Sequence, residues 1–585
     1  MNYQEQFHKW MNSEVVDEVT KSELAALALV GNEEELKNRF SSMLDFGTAG
    51  LRGIMGAGLH NMNVYTVRYA TQGLSNLILK NGKEAARKGV CIAYDSRICS
   101  EEFAWEAACT LSANGIAVHI FDELRPTPEL SFAIREFGAI AGINITASHN
   151  PKEYNGYKVY WEDGAQLPPE HAKQISTIIN ELDIFEDVKT CSKEEALETG
   201  LITIVGKEFD EKYIQKVLEQ SVGQSYVQQA TDRFRMIYSP IHGTGYRIVP
   251  EVLQRLGMKH VITVPEQMQP DGNFPTTKSP NPEEREALQV AIDLAEKEQV
   301  DLIVGTDPDA DRVGIVVRNA EGEFIPLTGN QIGVLLLDYL IQTRKENGTL
   351  AENAVMIKSI VSTNMAKHIA KQNGVHAMDV LTGFKFIGEK IKEFEQTNEY
   401  SFLFGFEESN GYLVGTYARD KDAIVASMLI AEMACYYHMK DMSLYEALLS
   451  LYTKYGYFDE QCVSITISGL RGVEIIKSVT DSLRRQAPEK FANVAVEKIR
   501  DYQTGIITNV RTGVVESTGL PAANVLFYEL EDGSAVIVRP SGTEPKLKLY
   551  IMVKADSQEE MLRKKEALVN DSKLLVDTLS THGVH

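Results

Sequence analysis

Three carboxylates stand at alternate positions in Asp307-Pro308-Asp309-Ala310-Asp311. A tight turn can aim such side chains at one point, and an all-oxygen set favours a hard cation with room left for water or phosphate, which suits Mg2+. An EF-hand is excluded, because Arg312 stands where its sixth-position Gly is needed and Arg318 where its twelfth-position Glu is needed. In Thr146-Ala147-Ser148-His149-Asn150-Pro151 a serine lies between a small residue and a histidine, outside any G-x-S-x-G elbow, and Lys158 follows as a candidate base or phosphate contact. Arg539-Pro540-Ser541-Gly542-Thr543 offers a guanidinium fork, two hydroxyls and open backbone N–H groups, which fits a phosphate monoester. Lys546 and Lys548 add charge there, with Lys548 expected on the opposite side of the following strand. Glu407 and Ser409 in Gly405-Phe406-Glu407-Glu408-Ser409 supply the acceptor and the mixed donor–acceptor that sugar hydroxyls need. Taken singly, the acidic loop has a solvated turn as its lesser alternative, and Ser148 reads first as a turn residue capping the next helix; the four together favour chemistry.

Each loop directly follows an apolar strand-like run, at residues 138–145, 300–305, 400–405 and 534–538. Strands alternate with longer helical patterns over most of the chain, the α/β signature, and in open α/β sheets ligands bind beyond the carboxyl ends of strands. The run 423–437 reads as a core helix. The polar stretch 192–219 is a candidate joint, and 267–284 holds too many Pro and Gly breakers for a regular element. The last block has short strands and a charged helix from 557 onward, which suggests a smaller α+β domain.

The chain has 585 residues, which argues for several domains; 44% apolar and 24% charged residues exclude disorder. With 82 acidic against 59 basic residues and a net charge of −23, a dedicated nucleic-acid binder is excluded, and an anionic substrate would need local cations. The six cysteines form no CxxC pair or zinc-like spacing, no secretory signal opens the chain, and no apolar run approaches the ~18 residues of a membrane-spanning helix. These point to a cytoplasmic protein with no membrane partner. Gly47, Gly50 and Gly53 miss the dinucleotide fingerprint, Gly383 to Gly388 has P-loop spacing with Glu389 in place of the lysine, and His242-Gly243-Thr244-Gly245 lacks the rest of a Rossmann pattern.

In combination and order, the four loops resemble the α-D-phosphohexomutase family, with Thr48-Ala49-Gly50-Leu51-Arg52-Gly53 and Pro280-Asn281-Pro282-Glu283 as further matching segments. The resemblance covers nearly the whole chain. It implies three similar mixed α/β domains and a C-terminal α+β (TATA-binding-protein-like) domain around a central cleft, divided as residues 1–208, 209–324, 325–453 and 454–585. It further implies that Ser148 is the phosphorylated serine, with Asp307, Asp309 and Asp311 holding Mg2+ together with the Ser148 phosphate. Arg52, His149, Lys158 and Arg312 match positions around the transferring group. Glu407 and Ser409 would contact sugar hydroxyls, Lys385 and Lys421 would be further cleft contacts, and Arg539, Ser541, Gly542, Thr543 and Lys546 would hold the non-reacting phosphate.

The implied activity is interconversion of glucose 1-phosphate and glucose 6-phosphate, with glucose 1,6-bisphosphate as intermediate and activator and Lys158 handling protons once its pKa is lowered. Phosphomannomutase/phosphoglucomutase members carry His four residues after the sugar-binding Glu, where this chain has Gly411. The long chain resembles the branch containing phosphoglucomutases and phosphopentomutases, so pentose and mannose phosphates stay open as substrates, as does the oligomeric state, a monomer included. The Asp loop also nearly matches the DxDx[TV] nucleophile loop of haloacid-dehalogenase-type phosphotransferases, with Asp311 where Thr or Val belongs. That rival would use Asp307 as nucleophile; a non-catalytic sugar-phosphate sensor is a third reading.

Overall fold

The computed structural model describes all residues except 1, 48–49, 468–470, 542–545 and 583–585, and all side chains of the described residues except that of residue 582. They fall into two compact units: residues up to Thr328 with Ile387–Phe404 and Ser409–Ser443, and Gly329–Phe386 with Gly405–Glu408 and Leu444 onward.

The first unit contains two sheets of related plan. Strands β1 (Gly50–Ile54), β2 (Val90–Tyr94), β3 (Val118–Phe121), β4 (Ala141–Ile145), β5 (Tyr154–Trp161) and β6 (Ile202–Val205) are ordered β1-β5-β4-β2-β3-β6. Strands β7 (Met236–Ser239), β8 (Val261–Thr263), β9 (Leu302–Thr306), β10 (Val313–Arg318) and β11 (Phe324–Leu327) are ordered β11-β10-β9-β7-β8. In both, a parallel core (β4-β2-β3; β9-β7-β8) is joined by an antiparallel returning strand (β5; β10). Strands β2, β4 and β9 are buried at every residue, as parallel strands covered on both faces must be. The Ser148 loop joins β4 to β5 and the Asp307 loop joins β9 to β10, so the two loops occupy the same joint of two similar sheets.

Residues 192–219, expected as a joint, carry regular structure. They form helices Lys193–Glu198 and Lys207–Leu218 with β6 between them, and β6 is the parallel edge of the first sheet. The charged residues of this stretch belong to elements that keep an exposed face. The breaker-rich stretch does run without helix or strand from 269 to 284. Helix Ala423–His438 is buried from Ala423 through Tyr437, as expected of a core helix apolar all round. Its N-terminus is capped by Asp422, which accepts from the N–H groups of Ile424 and Val425 and from the Tyr213 and Tyr417 hydroxyls.

In the second unit, β12 (Ala354–Ser359) and β13 (His376–Val380) pair in parallel. Strand β14 (Ser401–Glu407), whose residues from Gly405 on belong to this unit, leads into the Glu407 turn; β15 (Gly411–Leu413) follows it and belongs to the first unit. The C-terminal sheet is antiparallel and ordered β16-β23-β22-β21-β18-β19-β20, with β16 (Tyr457–Thr466), β17 (Lys490–Phe491, paired with β18), β18 (Val494–Asp501), β19 (Ile506–Asn509), β20 (Val515–Ser517), β21 (Leu526–Leu530), β22 (Ala535–Pro540) and β23 (Lys546–Ala555). Alternation sorts its side chains. Val536, Val538, Leu549 and Ile551 pack with Ile476 and Leu483 of helix Gly472–Arg485 and with Leu568 of helix Gln558–His582. Phe527, Ile537, Tyr550 and Met552 face the other way, onto Ile360, Val361 and Leu381 from the loops after β12 and β13. No helix among the described residues is long and apolar enough to cross a membrane.

Candidate active site

Beyond β4 the chain enters Thr146, whose Oγ1 accepts the Ser148 N–H at 2.8 Å and donates to Asp95 Oδ2 at 2.6 Å. Ser148 then adopts φ of 53°, left-handed backbone that a non-glycine residue holds only where its surroundings over-determine it. They do. The guanidinium of Arg97, 3% exposed, donates to the carbonyls of Ser148 (2.6 Å), Pro151 (2.9 Å), Tyr154 (3.0 Å) and Asn150, pairs with Asp95 at 3.3 Å, and stacks on Phe274 with its carbon 5.0 Å from the ring centre.

Ser148 Oγ donates to Asp307 Oδ2 at 2.7 Å and lies 3.2 Å from His149 Nδ1. Asp307, Asp309 and Asp311 are all buried, and one oxygen of each lies within 4.8 Å of the others. The other Asp307 oxygen accepts the N–H groups of Asp311 (3.1 Å) and Arg312 (3.0 Å). Asp309 Oδ1 and Asp311 Oδ1 are buried with no hydrogen-bond partner among the described residues. Three buried carboxylates with two orphaned oxygens are the donor set of a hard divalent cation, so the residues fit a metal. The Gly243 segment, which has no fingerprint chemistry, serves as the floor of this loop. Thr244 N–H donates to the Pro308 carbonyl at 2.8 Å, and a methyl group at Gly243 would lie 2.4 Å from Pro308 Cα.

Cations gather at the same place. Lys158 Nζ lies 2.8 Å from Asp309 and 3.6 Å from Asp311; Lys421 Nζ lies 3.3 Å from Asp311 and 3.1 Å from Asp420. Arg312 pairs with Glu283 at 3.1 Å, and Arg52 donates to Asn150 Oδ1 at 3.2 Å. Burial, together with the charges of Asp309 and Asp311, pushes Asp307 well above the usual carboxylate range. Asp309 is also pushed up by burial, but Lys158 outweighs that and holds it low. His149 is driven well below its ordinary value by burial and by the charges of Arg312 and Arg52, so its imidazole is neutral. Burial lowers Lys158, yet Asp309 and Asp311 outweigh burial and raise it. That is the opposite of what a general base needs: in this state Lys158 is a cation that holds the acidic loop.

In the second unit, Glu407 Oε1 accepts the Gly383 N–H at 2.6 Å, which gives the failed P-loop stretch its purpose. Glu408 Oε2 accepts the hydroxyls of Ser359 (3.0 Å) and Ser362 (3.2 Å). Lys385 opens helix Lys385–Thr397. Arg539 pairs directly across from Lys548, so the two share a face, contrary to the expectation for Lys548; Lys546, two residues on, shares it too. This is the face covered by Ile360, Val361 and Leu381. Ser541 N–H donates to the Lys546 carbonyl at 2.8 Å.

The structure thus brings Arg52, Ser148, His149, Lys158, the three aspartates, Arg312 and Lys421 together in one unit, where Ser409 also lies. Lys385, Glu407, Arg539, Ser541 and Lys546 belong to the other unit. Thr48, Ala49, Gly542 and Thr543 lie outside the described residues. Sequence reasoning missed Asp95 and Arg97, although Asp95-Ser96-Arg97 follows the fully buried β2, the same polar-loop-after-strand signal that marked the other four.

A serine set against a buried acidic triad and ringed by cations, on two similar α/β sheets, is equipment for phosphoryl transfer. Profiles of phosphoglucomutase/phosphomannomutase α/β/α domains I, II and III match residues 43–184, 211–322 and 328–455, and that of the C-terminal domain matches 484–570. A phosphoglucomutase of Staphylococcus saprophyticus is 37% identical over 535 residues, covering 92% of this chain and 95% of that one; one of Staphylococcus aureus is 36% identical over 536 residues, covering 92% and 94%. Among solved structures, the Paramecium phosphoglucomutase parafusin (open form) superposes with a TM-score of 0.67 at 18% identity, covering 92% of this chain and 95% of that one. N-acetylphosphoglucosamine mutase of Aspergillus fumigatus, solved with GlcNAc-6P and magnesium, gives 0.50 at 13% identity, covering 94% and 99%. The chain belongs to the phosphoglucomutase/phosphomannomutase family.

Proposed function

We propose that this protein is a phosphoglucomutase that interconverts α-D-glucose 1-phosphate and glucose 6-phosphate through phospho-Ser148 and glucose 1,6-bisphosphate. The observation that carries the reading is the 2.7 Å hydrogen bond from Ser148 Oγ to Asp307 Oδ2. It supports the hydroxyl, rather than a carboxylate, as the reacting group. Asp307 is a poor rival nucleophile because its second oxygen already accepts two backbone N–H groups. Identity to the staphylococcal phosphoglucomutases supports the choice of glucose.

Asp307, Asp309 and Asp311 would hold Mg2+ together with the Ser148 phosphate; a bound Mg2+ supplies Lewis-acid neutralisation of phosphoryl oxygens. Arg52 and Arg312 stabilise charge spread over the phosphoryl group in a loose transition state. Lys158 stays protonated and, with Lys421, keeps the acidic loop in register. Neutral His149 lies 3.2 Å from Ser148 Oγ, within hydrogen-bond reach of it. Glu407 and Ser409 recognise sugar hydroxyls, and Lys385 is a further substrate contact. Arg539, Ser541, Gly542, Thr543 and Lys546 grip the phosphate that does not react, in either orientation of the sugar. The buried Cys91, Cys109 and Cys435, none in a disulfide among the described residues, support a cytoplasmic setting. The domain division 1–208, 209–324, 325–453 and 454–585 is part of the same proposal.

Purified protein given glucose 1-phosphate, Mg2+ and catalytic glucose 1,6-bisphosphate is expected to form glucose 6-phosphate, with kcat/KM higher for glucose than for mannose or ribose 1-phosphate. A preference for ribose 1-phosphate would move the assignment to phosphopentomutase.

Gly411 offers a second handle. A methyl group there would lie 2.1 Å from Lys421 Cδ and 2.7 Å from its Cγ, so a side chain at 411 and Lys421 in its present place exclude each other. Gly411→Ala is expected to displace Lys421 and lower kcat/KM about 100-fold, the cost of misplacing a site group by about 1 Å. Steady-state kinetics of the variant check this.

A further inference from the structure

Asp309 presents its two carboxylate oxygens to different surroundings. Oδ2 accepts Lys158 Nζ at 2.8 Å and Thr127 Oγ1 at 2.8 Å. Oδ1 is buried with no hydrogen-bond partner among the described residues. Thr127 also donates its own N–H to the Asp309 carbonyl at 2.8 Å, so one residue grips both main chain and side chain of Asp309. The direction of these bonds is set one step further back. Asn144 Nδ2 donates to Thr127 Oγ1 at 2.6 Å, which fills the hydroxyl as an acceptor and sends its single proton to Asp309. A reversed Asn144 amide would aim its carbonyl at an oxygen whose proton is already given away.

The elements explain why this chain of contacts exists. Asn144 of β4 lies directly opposite Lys158 of β5, and the pair feeds the same Asp309 oxygen, one through Thr127 and one directly. Thr127 opens helix Thr127–Phe137 between Pro126 and Pro128, whose fixed φ limits the backbone that carries it. Thr127, Asn144 and Asp309 are each fully buried, so water cannot substitute for a lost partner cheaply.

We propose that Asn144 and Thr127 form a positioning relay that fixes the rotation of the Asp309 carboxylate, so that Oδ1 and not Oδ2 is offered to a divalent cation. The relay rests on reading the acidic triad as a metal site. A carboxylate pinned through one oxygen by two donors presents the other at a set angle, and removing such outer partners weakens metal binding by about 10–100-fold.

The test is titration of full-length protein with Mg2+ alone, read by calorimetry, with the metal-free melting temperature measured in parallel. Thr127→Val removes the hydroxyl at nearly constant shape and is expected to raise the Mg2+ dissociation constant about 10–100-fold. Thr127→Ser is expected to restore it. Asn144→Ala is expected to weaken binding less, and the double variant to bind no more weakly than Thr127→Val alone, because the asparagine acts only through the threonine. Effects that multiply in the double variant, or a Thr127→Val protein that binds as wild type does, overturn the relay. Equal loss in Thr127→Ser and Thr127→Val also overturns it. If Thr127→Val does not fold, Asn144→Ala decides alone: weakened Mg2+ binding at an unchanged metal-free melting temperature supports the relay, and unchanged binding overturns it. A wild-type protein that takes up no Mg2+ overturns the metal reading of the triad and the relay with it, an outcome distinct from relay failure alone.

Discussion

Ser148→Ala is expected to lower mutase turnover by on the order of 10⁴-fold or more, the scale reached when a covalent carrier is removed from a site whose parts act as a unit. The fold should survive. Ser148 is 3% exposed, but its Oγ donates to a carboxylate that keeps two backbone donors on its other oxygen, so the lost hydrogen bond costs about 1 kcal/mol or a little more. Wild-type protein incubated with ³²P-labelled glucose 1,6-bisphosphate is expected to retain acid-stable label, and the alanine variant none. Label that resists the Ser148→Ala change and is released by hydroxylamine would be an acyl phosphate on Asp307. That result would transfer the chemistry to the dehalogenase-type rival. Bound sugar phosphate with no exchange of label in the wild type would instead favour the sensor.

Much of this arrangement is legible in the sequence. Polar segments after apolar runs pointed to Ser148 and Asp307, because buried parallel strands are written as continuous apolar runs and their ends are where ligands bind; the same pattern singled out Glu407 and Arg539, the latter on an antiparallel strand. The C-terminal change of texture matched an antiparallel sheet backed by helices. What stayed hidden depends on contacts between distant segments. The charge state of Lys158 follows from Asp309 and Asp311, roughly 150 residues away in sequence, and could not be inferred from its neighbours in the chain. The face taken by Lys548 follows from the register of β22 against β23, which turn residues alone did not reveal. Thr127 and Asn144 carry no reactive group and draw no notice until the Asp309 oxygen they serve is located. The net charge of −23 proved a poor guide to the site. Arg52, Arg97, Lys158, Arg312 and Lys421 all come from the unit holding the acidic triad, and charge farther off than ~8–10 Å is largely screened.

Arg97→Met is expected to be the most damaging change that leaves every reacting group in place. The arginine is the only charged partner of buried Asp95 among its described ion pairs, and its guanidinium ties the carbonyls of Ser148, Asn150, Pro151 and Tyr154 into one loop. Breaking a buried pair from one side costs about 3–5 kcal/mol, since the remaining charge is stranded. Methionine keeps the contact with Phe274 but donates nothing. The loop then loses what compels Ser148 to φ of 53°, and the backbone can relax toward right-handed values. Denaturant unfolding should show the stability loss, and kinetics a fall in kcat of about 100-fold or more with a smaller change in KM, as a misplaced nucleophile requires. The two effects can be separated. Adding Asp95→Asn removes the stranded charge, so the double variant is expected to regain part of the stability but none of the turnover. Recovery of both together would mean that Arg97 serves only to neutralise Asp95, and that the shape of the Ser148 loop is set elsewhere.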